Sequence, residues 1–177
     1  MTYRSACVGC FVACFVVLAG FNVAVAQKDD QQKDHKHDMK FAEKAAMSGM
    51  AEVKLGQLAL EKASSPEVKQ FAQKMIDDHG KANDELKSLA QSKQMELPTD
   101  LGKHQKDYDK LAAMSGSDFD RAYVDCMVKD HKEDVSLFEK QANKGEDAEL
   151  KAFAARTLPT LQMHLQHAQD LQKAMKG

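Results

Sequence analysis

Four stretches of this chain repeat an apolar residue every three or four positions, the period of an amphipathic helix, and no stretch alternates at the two-residue period of a strand. The first seam runs Phe41, Ala45, Ser48, Glu52, Leu55 and Ala59. The second runs Val68, Ala72, Met75, His79, Ala82, Leu86 and Leu89. The third is Val124, Val128, His131, Val135, Phe138 and Ala142; the fourth is Leu150, Ala154, Thr157, Leu161, His164, Ala168, Leu171 and Met175. Each seam carries one ionisable residue near its middle: Glu52, His79, His131 and His164. An inward helical face is where such a group is costly, so the four together ask for an explanation.

Punctuation between the seams sets the layout. Ser64-Ser65-Pro66 reads as a turn, with Ser65 as N-cap and Pro66 in the first helical position. The helices predicted on either side cover 39–63 and 66–94. Leu97-Pro98-Thr99 breaks the pattern, and a shorter helix is expected over 100–114. Ser115-Gly116-Ser117 is a second turn, with Ser117 or Asp118 expected to cap a helix that ends at Lys144. Gly145 suits a left-handed stop, and a last helix over 146–176 holds Pro159, where a kink is expected. Two helices joined tightly, a long crossover with a short helix, and two more joined tightly make an all-α, ferritin-like four-helix bundle. Absence of Trp and scarcity of Gly and Pro agree with helix throughout.

Depth along the bundle tests whether the ionisable residues meet. Glu52 lies 13 residues before Ser65 and His79 lies 14 after it, so the two share a level. His131 lies 14 before Gly145 and His164 lies 19 after it. That offset of five residues is about 7.5 Å of rise, which side-chain lean recovers in part. Three imidazoles and a carboxylate on four facing helices suit a single transition-metal ion, zinc, iron or copper, with Glu52, His79, His131 and His164 as ligands. Asp78 and Asp130 precede two of the histidines and are candidates to orient the rings; His167 and Asp134 are reserve ligands. Met75 and Met127 sit one turn before His79 and His131, where soft sulfur would favour copper(I), although Met is also a common filler of core gaps. The alternative is a metal-free polar layer that fixes helix register in a non-catalytic envelope structural or protein-interaction module.

Residues 1–26 read as a secretory signal, with Arg4 ahead of an almost wholly apolar run and Ala24-Val25-Ala26 before Gln27 as the cleavage site. The run is also about long enough to span a bilayer, so an uncleaved anchor is the alternative. Cleavage near Ala26/Gln27 places the protein in the periplasm or outside the cell, with no integral membrane segment left. Cys7, Cys10 and Cys14 fall inside the signal, leaving Cys126 without a disulfide partner and reading as a small buried hydrophobe. Gln27 to Asp38 has no apolar residue and reads as a disordered polar leader, with His35 and His37 as weak metal donors, so the bundle is expected over 39–176. Without residues 1–26 the balance is 24 basic against 27 acidic residues, or −3, and the two signs are interspersed. Nothing there suggests nucleic acid. Tyr108, His104 and Asp107 on the short helix form a candidate partner surface, with solvated loop-side residues the plainer reading.

The stretches AAMSGMAEVKLGQLALEKASSPEVKQFAQKMIDDHGKAND, GSDFDRAYVDCMVKDHKEDVSLFEKQA and LKAFAARTLPTLQMHLQHA, in this order, resemble the secreted bacterial ferritin-like family known as domain of unknown function 4142, over about residues 40 to 173. The resemblance implies an exported helical bundle and implies no activity. The broader ferritin-like di-iron class places Glu three residues before each of two histidines. Here those positions are Ile76, Val128 and Leu161, so a carboxylate-bridged di-iron centre does not carry over. No phosphate-cradling glycine loop, Gly-x-Ser-x-Gly elbow or His-Glu-x-x-His is present, and no organic cofactor is indicated.

Overall fold

The structure, a computed structural model, describes the backbone of residues 20–176 and the side chains from Lys36 onward, apart from Gly177. Most of the expected signal segment, with Cys7, Cys10 and Cys14, and the side chain of His35 therefore lie outside the described residues. Five helices carry the fold: α1 (Gly20–Lys62), α2 (Pro66–Ser92), α3 (Gln105–Ala112), α4 (Gly116–Lys144) and α5 (Ala148–Ala174). A 3-10 turn, Gly102–His104, leads into α3. The described residues contain no strand, and none of their helices is long and apolar enough to cross a membrane. The fold is an all-α bundle of four long helices with a short extra helix in the crossover.

The ends of the helices follow from local chemistry. Ser65 caps α2, its hydroxyl accepting from the Val68 amide at 3.3 Å, with Pro66 in the first position as expected. Asp147 caps α5 by accepting from the amides of Glu149 and Leu150 at 3.1 and 2.9 Å. Two expected ends differ. The helix α4 starts at Gly116, not after Ser117 or Asp118; Gly116 has φ +63°, a conformation a Cβ disfavours, and Ser115 before it makes no side-chain cap. Gly145 is extended (φ −64°, ψ 143°) rather than left-handed, because the chain runs straight on to the Asp147 cap. Helix α5 is continuous through Pro159.

The largest difference lies at the N-terminal side. Helix α1 begins at Gly20, so residues 27–38, expected as a disordered leader, are helical here. The segment lacks Gly and Pro and is rich in Lys and Gln, which propagate a helix without any core. Asp38 at its end is buried. Its carboxylate accepts from Gln141 Nε2 and from the Asp147 amide, both at 2.7 Å, tying α1 to the α4–α5 turn. Asp120 of α4 does the same at the other end, accepting from the amides of Ser64 and Ser65 at 3.0 and 2.9 Å. Each tight turn is thus held by a carboxylate from another helix, which fixes the helices lengthwise.

The core divides in two. One apolar cluster gathers Leu55, Phe71, Met75, Tyr123, Met127 and Ala168 with their neighbours. The other gathers Phe41, Leu86, Phe138, Leu150, Phe153 and Leu161 with theirs, and Phe41, Phe138 and Phe153 meet edge-on or tilted at 5.0 to 6.4 Å between centroids. Along all four long helices the sequence passes from one cluster to the other through buried polar positions: Ser48 and Glu52 on α1, His79 on α2, Asp130, His131 and Asp134 on α4, and His164 on α5. Helix α1 lies close against α2 beside this level. A Cβ on Gly56 would sit 2.9 Å from Ile76 Cγ1 and 3.0 Å from the Ala72 carbonyl, so glycine is what permits the approach.

Candidate metal centre

Three imidazoles from three helices converge between the apolar clusters. The ring centroids of His79, His131 and His164 stand 5.4, 5.3 and 5.4 Å apart in their three pairings. One ligating atom from each lies within 4.8 Å of the others. The three residues are at most 5% exposed. The lengthwise offset expected for His164 does not separate it from the others.

The partners of each ring decide which nitrogens are free. His131 Nδ1 is 3.0 Å from the Met127 carbonyl, which can only accept; Nδ1 therefore carries the proton and Nε2 a lone pair. His164 Nε2 is 2.9 Å from Asp78 Oδ2, so the ionised carboxylate accepts there and the lone pair lies on Nδ1. That Nδ1 is buried and has no hydrogen-bond partner. His79 Nδ1 faces Glu52 Oε2 at 2.9 Å, leaving its Nε2 only 3.4 Å from His131 Nε2. This separation is long for a hydrogen bond. Two nitrogens bound to one tetrahedral ion at about 2.0–2.1 Å stand about 3.3–3.4 Å apart. Free lone pairs cannot face each other here unless a proton or a cation lies between them.

Glu52 sits behind the rings rather than among the free nitrogens. Its two oxygens lie 2.9 Å from His79 Nδ1 and 3.3 Å from His131 Nδ1. Neither contact is aligned as a directed hydrogen bond, and both Glu52 oxygens are buried without a hydrogen-bond partner. Asp134 lines the same small space as Glu52, and the Ser48 hydroxyl donates to Asp134 Oδ2 at 2.7 Å. Burial raises Glu52 well above the ordinary carboxyl range, and the Asp130 charge adds to this. Burial and the Glu52 charge likewise raise Asp134. Burial lowers the imidazoles: His79 to about 4, His164 to about 4, and His131 well below its ordinary value, with the neighbouring rings pressing the last two further down. Neutral imidazoles are the form that ligates a metal.

The remaining sequence candidates fall elsewhere. Asp78 does orient a ring, but that of His164 on α5 rather than of its neighbour His79. Asp130 turns away from the layer toward His104, 3.6 Å distant. His167 packs edge-on against Phe71, with centroids 5.0 Å apart. Met75 and Met127 belong to the apolar cluster. His104, expected at a solvated surface, is buried because the 3-10 turn folds it onto α4. Cys126 is partly buried; its thiol donates to Asp130 Oδ2 at 3.4 Å, and burial pushes its pKa up. Ser48 has a polar role that the seam pattern does not reveal; a hydroxyl one turn before Glu52 is the available sign that the carboxylate has company.

A small cavity of about 20 Å³ adjoins the layer, lined by Ser48, Glu52, His79 and Asp134 among others. That is about the room one water needs.

Solved structures of similar fold include a DUF305 protein of Streptomyces coelicolor, described as secreted, at 13% identity and TM-score 0.69 over 80% of this chain and 94% of that one. A DUF305 fragment from Deinococcus radiodurans aligns at 10% identity and TM-score 0.69 over 78% of this chain and 96% of that one. CopM in its Cu(I)-bound form aligns at 20% identity and TM-score 0.67 over 79% of this chain and 98% of that one. At these identities the likeness is one of fold. No curated protein matches the chain. Residues 23–171 match the family described as Domain of unknown function (DUF4142), and the chain belongs to that family.

Proposed function

We propose that this protein is an exported metal-binding bundle that holds a single transition-metal ion between His79, His131 and His164. The ligating atoms are Nε2 of His79, Nε2 of His131 and Nδ1 of His164. Glu52 serves from behind the rings, and Asp78 fixes His164. The observation that carries this reading is the lone pair on His164 Nδ1, buried without a partner beside the His79–His131 pair. Three neutral imidazoles suit copper, zinc or iron. Copper is the first ion to test, because CopM, of similar fold, has been solved with Cu(I), Cu(II) and silver bound. Export is supported by the apolar segment before Gln27 and by the secreted description of the Streptomyces relative.

A second reading also has an observation behind it. With Glu52 and Asp134 both buried and both raised, the layer can hold protons of its own, and a proton on His79 Nε2 would relieve the repulsion at His131. The bundle would then be a metal-free envelope module. Elemental analysis of tag-free protein purified from the periplasm separates the two. The metal reading expects about one copper, zinc or iron per chain, lost in His131→Ala protein that keeps its helicity. Equal metal content in both proteins would leave the metal-free reading.

A further inference from the structure

A second cluster of donors lies where the crossover meets α4. His104 ends the 3-10 turn, Asp107 lies in the first turn of α3, and Asp130 faces them from α4. One ligating atom from each of the three lies within 4.8 Å of the others. His104 and Asp130 are 4% and 1% exposed. His104 Nδ1 is 3.6 Å from Asp130 Oδ2, and the Cys126 thiol is 3.4 Å from the same oxygen. The other oxygen, Asp130 Oδ1, is buried and has no hydrogen-bond partner.

The only cation near that oxygen among the described residues is the Lys129 ammonium. Lys129 Nζ stands 3.3 Å from Asp107 Oδ2 and 3.8 Å from Asp130 Oδ1. Both carboxylates therefore face one point, and the lysine reaches it from a side chain 59% exposed. A buried carboxylate oxygen served at 3.8 Å is poorly compensated. Lysine is a point charge on a flexible stem and can swing out to solvent. A surface cleft of about 520 Å³ is lined by Asp107, Cys126 and Lys129 among others, so one member of the cluster and the lysine beside it face open space.

We propose that His104, Asp107 and Asp130 form a second cation site, of zinc type, in which a divalent ion takes the place now held by the Lys129 ammonium. One imidazole and two carboxylates are a zinc donor set, with the fourth position open to water or to Cys126. Magnesium and calcium prefer all-oxygen sites and are disfavoured by His104. The site shares no ligand with the three-histidine layer and does not depend on it. It joins the crossover to α4, so an ion there ties the 3-10 turn and α3 down to the bundle.

The test uses zinc alone, added to the full chain, with bound ions counted by equilibrium dialysis. Asp107→Asn removes one ligand at a partly exposed position, and Lys129→Gln removes the competing charge. Asp107→Asn should lose one zinc per chain or bind it at least about tenfold more weakly, while Lys129→Gln should bind it about tenfold more tightly. A purely structural ion-pair network gives no tightening for the lysine, since nothing then gains from its removal. Zinc binding unmoved by Asp107→Asn, or unmoved or weakened by Lys129→Gln, overturns the proposal.

Discussion

At the scale of single residues, the centre depends on what stands behind each imidazole. Asp78 holds His164 by Nε2 and so turns Nδ1 inward. Asp78→Asn can rotate its amide to offer nitrogen or oxygen, and the carboxylate's charge is gone. Metal affinity should fall by about 10–100-fold with helicity unchanged, measured by competition against a chelator of known affinity. The imidazoles also set a pH dependence for metal-free protein. His79 and His164 titrate near 4 when folded, below the ordinary histidine value, so the unfolded chain binds protons more readily. Their contribution to stability is complete above about pH 6.5 and is lost as pH falls toward about 4. Urea midpoints of chelator-treated protein should therefore drop across that window, and a midpoint flat from about pH 7 to about pH 4 would contradict the burial of the rings. The ionisable members of the layer are legible from residue type and spacing alone. Their pairings are not: Asp78 serving a ring on another helix, or Ser48 donating to Asp134, depends on how two helices are rotated about their axes.

At the scale of elements, the period of the apolar residues carries most of the information. Val68 to Leu89 and Leu150 to Met175 step as helices do, and α2 and α5 occupy those stretches. Ends are less legible. Ser65-Pro66 is an unambiguous start, whereas Gly145 has several uses and its backbone is decided by the Asp147 cap and by Asp38 reaching across to the Asp147 amide. Asp38 reads as the end of a solvated leader because its partners are far along the chain, Gln141 lying 103 positions away. The close contact of α1 with α2 gives a prediction at this scale. Gly56→Leu has no room against Ile76 and the Ala72 carbonyl. It should destabilise the bundle by about 1–3 kcal/mol, read from denaturant midpoints, and it should weaken metal binding by moving Glu52 away from His79.

At the scale of the whole molecule, two apolar clusters enclose one polar layer, and a carboxylate at each end of the bundle holds a helix turn in register. This arrangement explains how three imidazoles can be buried together: the clusters supply the stability that the layer lacks, and the turns keep the rings level. The most direct measurement is anomalous diffraction at the copper and zinc edges from crystals grown with each metal in turn. The account expects one strong peak at the midpoint of the His79, His131 and His164 rings, within bonding distance of His164 Nδ1. Well-ordered rings with no peak among them in either metal would contradict it.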